Sequence, residues 1–561
     1  MHKLIRRLLR VVIILVLLLV VGTVLFRQAV KIVDPIVENP FEGSPHKVYA
    51  GNELYLFDDS WLRKNREGLW EMYVSGSPFE LGYKNGVLTD SLNALQEQYF
   101  VEGIRQLIPS DAYLKFLKSL LAWYNRNLDE YIPAEYREEI YGVSRFASDE
   151  YDFIGDAYPR MLNYHAAHDI GHALQNMNLV ACTAFMVKGE RTEDGSMLIG
   201  RNMDFSMGDD FASNKIIAFY RPESGHNFAF ITWAGMIGVV SGMNDKGLTI
   251  SLNAANSAIP TSARTPVSIL ARKVLQYASN IQEAFEIINE AEVFVAECFL
   301  VASAEDGTAV VIEKSVDQCA IYDSESNVLV LTNHYQSDRL ASTKLNLEAL
   351  EDGSSPYRLM RTRQLIDSIP VHTPQTVAAV LRDQSGMDGA DIGMCNEKAV
   401  NQLIAHHSVV FRPERLEIWV SANPYQLGAY MCYNLNDIFT GTPVPGDAID
   451  DTTALIEADP FLYSNRYKDF VRYKELIFKL KEQLKSGDAE GISVDEIQEL
   501  VDSNPEYFHT WFIAGECWQL KGEIEKAGQC YRKALEKEVA RKSEKEQLES
   551  RLSELRDHGV K

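Results

Sequence analysis

The residues best placed to do chemistry lie in two short stretches. Ala181-Cys182-Thr183-Ala184-Phe185 is a small apolar segment that carries one cysteine. The chain turns at Asp194-Gly195 and returns with Gly200-Arg201-Asn202-Met203-Asp204-Phe205. A cysteine reacts as its thiolate, and a free thiol has a pKa of about 8.5, so a neighbour must take or share its proton. An amine of pKa about 8 serves if Cys182 becomes an N-terminus by cleavage of the Ala181–Cys182 bond. Asp204 can then hold the amine, and Arg201 can favour the thiolate. Residues 201 and 204 are three apart and face opposite sides of a regular strand. A bulge or the strand end is therefore expected to bring both to one site. A structural ion pair between Arg201 and Asp204, or a cysteine that is only a small buried hydrophobe, is the bland alternative.

The rest of the chain must position these groups. From Cys182 onward the apolar period is two and turns recur regularly. Lys215–Tyr220 and Asn227–Trp233 read as one hairpin; Gly238–Met243 and Leu248–Leu252 read as another, across Asn244-Asp245-Lys246-Gly247. A helical stretch at 266–291 follows, then strands at 297–303, 308–314 and 326–332. Helices near 357–369 and 374–383 precede strands near 408–412 and 416–421. Strand groups alternating with helix pairs predict two sheets stacked between helical layers.

Upstream, Trp70–Val74 reads as a strand. Gly82 and Gly86 fall four apart at a helix start, where small residues allow close packing. Residues 87–180 are mostly helical by pattern. His165, His168 and His172 are spaced for one helix face. A metal site there is conceivable, but HExxH is absent, and a structural role in the precursor is the better reading.

The motifs then carry a family resemblance over roughly residues 69–440. Ser77-Pro78-Phe79-Glu80-Leu81-Gly82 with Gly86 looks like a pro-region motif. Cys182-Thr183 and Gly200–Phe205 look like nucleophile and Arg/Asp motifs. Gly242–Leu248 running to Leu252-Asn253, Leu331-Thr332-Asn333-His334, and Ser355–Arg361 complete the order. Together they resemble the Cys-type N-terminal-nucleophile (Ntn) hydrolases of the C45 group, which contains acyl-CoA:6-aminopenicillanate acyltransferase. They are more distantly similar to choloylglycine hydrolases and acid-ceramidase-like amidases. The resemblance implies an α+β fold, a four-layer αββα sandwich. It implies Cys182 as nucleophile with its freed amine as base, Asp204 orienting the amine, and Arg201 and Arg358 supporting the charge network. Asn253 and Asn333 would contribute oxyanion and amine hydrogen bonds. Arg361 and Arg363 compete with Arg358 on the same helix. His334 beside Asn333 leaves a Cys–His peptidase open as a minor alternative. Because 181 residues precede the nucleophile, peptide-bond cleavage must expose its amine.

Bulk properties bound the rest. With 561 residues and a net charge of −24, the chain can hold several domains, and a nucleic-acid-binding surface is unsuited to it. Its seven cysteines form no CxxC pair and no even framework. No feature calls for a metal or a cofactor. Lys3, Arg6, Arg7 and Arg10 precede an apolar run from Val11 to Phe26. That pattern reads as an uncleaved signal anchor with the following chain exported; a cleavable signal peptide is the alternative. The expected organisation is an anchor at 1–32, a tether at 33–65, a pro-region at 66–181, a catalytic domain at 182–445, and a linker with a helical segment at 446–561. In that last segment Trp511, Gly515, Trp518, Ala527, Tyr531 and Ala534 fit one tetratricopeptide-like (TPR-like) repeat with its turn at Lys521-Gly522-Glu523. One repeat cannot bury its own face, so it must dock on neighbouring helices, the catalytic domain or a protein partner. The functional expectation is a membrane-anchored hydrolase or acyltransferase acting on a small non-peptide N-acyl amide. The competing expectation is a non-catalytic anchored interaction protein that uses the tail.

Overall fold

The computed structural model describes residues 2–41, 45–107, 110–166, 169, 180–205, 208–257, 262–324 and 326–557. Its strands form two sheets. The first runs, edge to edge, through β1 (Val48–Gly51), β2 (Leu54–Phe57), β3 (Ser60–Lys64), β4 (Trp70–Gly76), β7 (Ile216–Pro222), β8 (Phe228–Thr232), β9 (Ser241–Asn244), β10 (Leu248–Ala254), β11 (Glu297–Ser303), β12 (Thr308–Lys314) and β13 (Cys319–Tyr322). The second runs through β14 (Val328–Leu331), β5 (Val180–Gly189), β6 (Gly195–Phe205), β15 (Ala405–Arg412), β16 (Glu417–Ser421) and β17 (Tyr430–Asn434). Among these described strands, pairing is antiparallel except between β4 and β7, which run parallel.

Alternation along the strands builds three apolar layers. Between the sheets, Ala184, Met186, Met197 and Ile199 meet Ile217, Phe219, Leu300 and Val311. The other face of the first sheet presents Met72, Val74, Ile250 and Phe299 to the helices Pro78–Leu107, Ala134–Ser144, Val267–Tyr277 and Ile281–Glu290. The other face of the second sheet presents Phe185, Val187, Leu198 and Val410 to the helices Ser355–Ser368 and Pro374–Leu381. Helices thus cover both outer faces. Each fully buried Leu, Ile or Phe in these layers stabilises by roughly 1.5–3 kcal/mol.

The helix Pro78–Leu107 packs unusually close to Ala134–Ser144. A Cβ on Gly82 would lie 1.8 Å from the Glu139 carbonyl oxygen, and one on Gly142 would lie 2.5 Å from the Tyr83 nitrogen. Only glycine permits this approach.

Three features differ from the sequence expectations. The 33–65 tether is corrected: from Val48 the chain forms β1–β3, whose Trp61 and Leu62 are buried, because β4 offers an edge that these alternating residues extend. Strands β13 and β17 and the helix Lys344–Asp352 were not expected. They are short, and their apolar residues are too few to set a period. Finally, residues 66–181 and 182–445 share one sheet through the β4–β7 pairing.

The N-terminal helix His2–Ala29 contains a stretch, Ile5–Ala29, long and apolar enough to cross a membrane, and it is unburied. At the other end, helices Asn465–Ser486, Val494–Ser503, Phe508–Leu520, Ile524–Leu535 and Lys542–Asp557 follow one another. Gly515 faces the Tyr531 ring, where a Cβ would lie 2.4 Å from the nearest carbon, and Gly522 turns the chain at φ +79°.

Candidate active site

Strand β5 passes straight through the Ala181–Cys182 bond. Its register with β6 is continuous from Val180↔Phe205 to Val187↔Leu198, with Ala181 opposite Asp204 and Ala184 opposite Arg201. The irregularity expected beside Arg201 and Asp204 is absent from the β5 side but present on the other: β15 shifts register between Ala405↔Asp204 and His407↔Met203, one residue from the end of β6 at Phe205. The two side chains stand on opposite faces of β6 and approach residue 182 from opposite sides. Even-numbered β5 residues Ala184 and Met186 face the first sheet, and Cys182 shares that parity and is buried.

On the thiol side, Arg201 Nη2 donates to Cys182 Sγ at 3.5 Å and to the Leu252 carbonyl at 2.6 Å. Its Nη1 donates to Ser241 Oγ at 2.7 Å and to His407 Nε2 at 3.0 Å. The guanidinium is an obligate donor, so His407 Nε2 must accept, and His407 carries its proton on Nδ1. That proton is directed at His406 Nδ1, 3.0 Å away. Both imidazoles are held neutral, with pKa values lowered first by burial and then by nearby cations; that of His406 falls to about 3.

On the other side, the helix Ser355–Ser368 brings Arg358 to the nucleophile's backbone. Its Nη1 donates to the Cys182 carbonyl at 2.6 Å and to Thr183 Oγ1 at 3.0 Å, and its Nη2 donates to Asn333 Oδ1 at 2.8 Å. The Cys182 N–H also donates to Asn333 Oδ1, at 2.9 Å. Asn333 is fixed in turn: its Nδ2 donates to the Ala254 carbonyl at 2.9 Å, and its backbone N–H donates to Ser355 Oγ at 2.8 Å. The neighbouring Asn253 donates to the Thr332 carbonyl at 3.0 Å, and its Oδ1 has no partner among the described residues. Arg361, the competitor on the same helix, is held by Asp383 at 2.9 Å.

Electrostatics follow from burial. Burial pushes the Cys182 thiol up to about 11; Arg201 and Arg358 oppose this, while Asp204 and Glu297 reinforce it. Burial also raises the Asp204 carboxyl to about 7, against Arg358, Gln426 and Arg201. Asp204 Oδ1 accepts from Gln426 Nε2 at 3.2 Å, and Oδ2 has no partner among the described residues. In this uncleaved chain residue 182 thus carries a protonated thiol.

Among the described residues, no histidine hydrogen-bonds to the thiol. His334 Nδ1 meets Ser355 Oγ at 2.8 Å and Thr332 Oγ1 at 3.3 Å, and no hydrogen bond joins it to Cys182 among the described residues. His165 is occupied at both nitrogens, by the Met161 carbonyl at 2.8 Å and the Ile237 N–H at 3.0 Å. The other two histidines of that motif, His168 and His172, lie outside the described residues. Sequence reasoning gave no role to His407, Gln426 or Glu297. Glu297 had a visible signal: it is a lone charge at the head of the apolar run Glu297-Cys298-Phe299-Leu300-Val301.

Comparison with known proteins finds these similarities. A family model described as acyl-coenzyme A:6-aminopenicillanic acid acyl-transferase matches residues 190–423. That span holds Arg201, Asp204, Asn253, Asn333 and Arg358 and begins after Cys182. An uncharacterized protein of Archaeoglobus fulgidus is 26% identical over 312 residues, 49% of this chain and 52% of its own length. The chain thus spans about half the length of that relative. An N-acylethanolamine-hydrolyzing acid amidase of Caenorhabditis elegans is 24% identical over 327 residues, 55% of this chain and 87% of its own. A conjugated bile acid hydrolase from Clostridium perfringens has a solved structure that aligns with a TM-score of 0.33 and 14% identity, covering 48% of this chain and 95% of its own.

Proposed function

We propose that this chain is a self-processing Ntn hydrolase of αββα fold that cleaves, or transfers the acyl group of, a non-peptide N-acyl amide through a thioester on Cys182. The observation that carries the reading is the convergence on one residue: Arg201 on the Cys182 thiol, Asn333 on its nitrogen and Arg358 on its carbonyl. Scission of the Ala181–Cys182 bond would turn that nitrogen into an amine already held by Asn333, with Asp204 opposite the adjoining Ala181 in the register. The amine would take the thiol proton as Sγ attacks the substrate carbonyl. Asn253, with its neighbour Asn333, would serve the oxyanion, where one donor is typically worth roughly 10² to 10³ in rate. Departure of the amine leaves an acyl thioester, which water or an acceptor amine then resolves. One relative named above is an N-acylethanolamine-hydrolyzing acid amidase, which supports an acyl amide as substrate.

The apolar N-terminal helix with Lys3, Arg6, Arg7 and Arg10 ahead of it supports anchoring, with the body of the chain on the exported side. An exported enzyme meets no acyl-CoA, which favours hydrolysis over transfer. The tail hairpin, with its TPR-like spacing, packs on its own chain. Asn504 exchanges hydrogen bonds with the Met394 N–H and carbonyl at 3.0 and 2.9 Å, and Asn396 donates to the Glu538 carbonyl at 2.9 Å. That docking supports a stabilising role and weakens the competing view of a free interaction module.

The test is to incubate the processed protein with a panel of N-acyl amides, quench in acid and measure intact mass. Wild type is expected to release free amine and to carry a transient acyl adduct that maps to Cys182. Cys182→Ala is expected to show neither. Amine release by the alanine variant at the wild-type rate overturns the proposal.

A further inference from the structure

Self-cleavage has a requirement that turnover does not. In the uncleaved chain the Cys182 nitrogen is an amide, so the thiol must lose its proton to another group. Asp204 and Arg358 approach from the opposite face of the strand. On the first sheet's side of β5 stand Arg201 and, beyond it on β11, Glu297, whose strand face is the helix-covered one that also carries Phe299. Glu297 is fully buried, and neither of its carboxyl oxygens has a hydrogen-bond partner among the described residues. It stands opposite Ala254, whose carbonyl receives Asn333 Nδ2. Phe299, two residues along the same strand face, shares an apolar cluster with Cys182 and Leu252. Arg201 connects these groups. It sits in the split where β10 leaves β9, bound to the Leu252 carbonyl and to Ser241, and the negative groups acting on it are, in order, Cys182, Glu297 and Asp204.

The groups facing Glu297 bear on its charge. Asp169, from the chain ahead of the scissile bond, opposes its ionisation, and Arg201 favours it. Lys314 is its cross-strand neighbour, but its ammonium is directed to the Asn289 carbonyl at 3.0 Å. Cys298 and Tyr335 also feel the carboxyl. Arg201 has no carboxylate ion pair among the described residues and can neutralise one anion, either Glu297 or the Cys182 thiolate.

We propose that Glu297 is the proton acceptor for the Cys182 thiol in self-cleavage, exchanging one proton with it across Arg201. This rests on the self-processing reading above. The thiol proton passes to the Glu297 carboxylate through a water molecule as Sγ bonds to the Ala181 carbonyl carbon. The Ala181–Cys182 C–N bond breaks, and Glu297 returns the proton to the departing nitrogen, which becomes the Cys182 amine. Water then hydrolyses the thioester, freeing the Ala181 carboxyl and restoring the thiol. Glu297 must start ionised. Burial holds its pKa well above the ordinary carboxylate range, so scission should quicken as pH rises.

The experiment follows scission of the full chain at 181/182 by intact mass from pH 5 to 8, for wild type, Glu297→Gln and Glu297→Asp, with thermal unfolding as a fold control. Glu297→Gln is expected to cleave at least about 100-fold more slowly, the usual loss when a proton-transfer group is removed, with its pH dependence gone. Glu297→Asp is expected to be intermediate and to keep the pH dependence. A folded Glu297→Gln that cleaves at the wild-type rate overturns this proposal alone. If the glutamine variant does not fold, a wild-type rate in Glu297→Asp or a flat wild-type pH profile overturns it. A wild type that stays whole overturns it together with the reading beneath it.

Discussion

At the scale of single residues, the site is a set of buried charges held by obligate hydrogen bonds, and burial shifts their protonation. Asp204 is the clearest case. Its carboxyl is raised to about 7 in the folded chain, chiefly by burial, whereas an unfolded aspartate titrates near about 3.9. The folded state therefore binds the proton more tightly. Its contribution to stability is complete below pH about 4 and is lost as pH rises through about 7. In a Cys182→Ala background, Asp204→Asn keeps the side-chain shape and removes this loss. Its melting temperature relative to the parent should therefore be higher at pH 8 than at pH 5, as measured by thermal denaturation at both. A difference that does not change with pH would contradict the assignment. Which residues meet here was partly legible in the chain. Cys182, Arg201, Asp204, Asn333 and Arg358 do converge on one strand and its neighbours. The face each side chain occupies was not legible, since it depends on the unbroken β5–β6 register. The His407–Ser241 support of Arg201 comes from two strands far apart in sequence, and neither carries a local pattern that announces it.

At the scale of elements, strand and helix positions followed from apolar period and from glycine. The hairpin at Asn244–Gly247 is fixed by a turn residue, with Gly247 at φ +72°, and could be read directly. So could the close helix start at Gly82. The edges could not be read: β1–β3 are short, follow directly on Pro35, Pro40 and Pro45, and become strands where β4 gives them an edge to pair with. The Gly82 contact sets a prediction at this scale. Glycine lets the helices Pro78–Leu107 and Ala134–Ser144 touch backbone to backbone. Gly82→Ala forces a methyl group against the Glu139 carbonyl and should destabilise by about 1–3 kcal/mol or more, the usual range for overpacking. Chemical denaturation should show a lowered midpoint with an unchanged slope. An unchanged midpoint would mean that the two helices are not held at this distance.

At the scale of the whole molecule, the chain ahead of Cys182 and the chain after it build one layered body. β4 lies inside the first sheet, and the helices 78–107 and 134–144 cover its outer face, so cutting at 181/182 would leave two pieces locked in a common core. Ion pairs and hydrogen bonds tie the tail helices to the same body: Arg541 to Glu397, Lys398 to Glu538, and Asn504 to Met394. The layered architecture was legible because strand groups and helix pairs alternate. That the pro-region shares the sheet was not, because a parallel pairing between residues 70–76 and 216–222 leaves no local mark in either segment. The central claim is that Cys182 makes itself an N-terminus within this body. Intact mass and N-terminal sequencing of the purified full chain beside Cys182→Ala test it most directly. The account predicts a wild-type fragment that begins at Cys182 and ends at Lys561, co-purifying with residues ahead of it, and an alanine variant that stays whole. A wild-type chain that remains intact after prolonged incubation would contradict it.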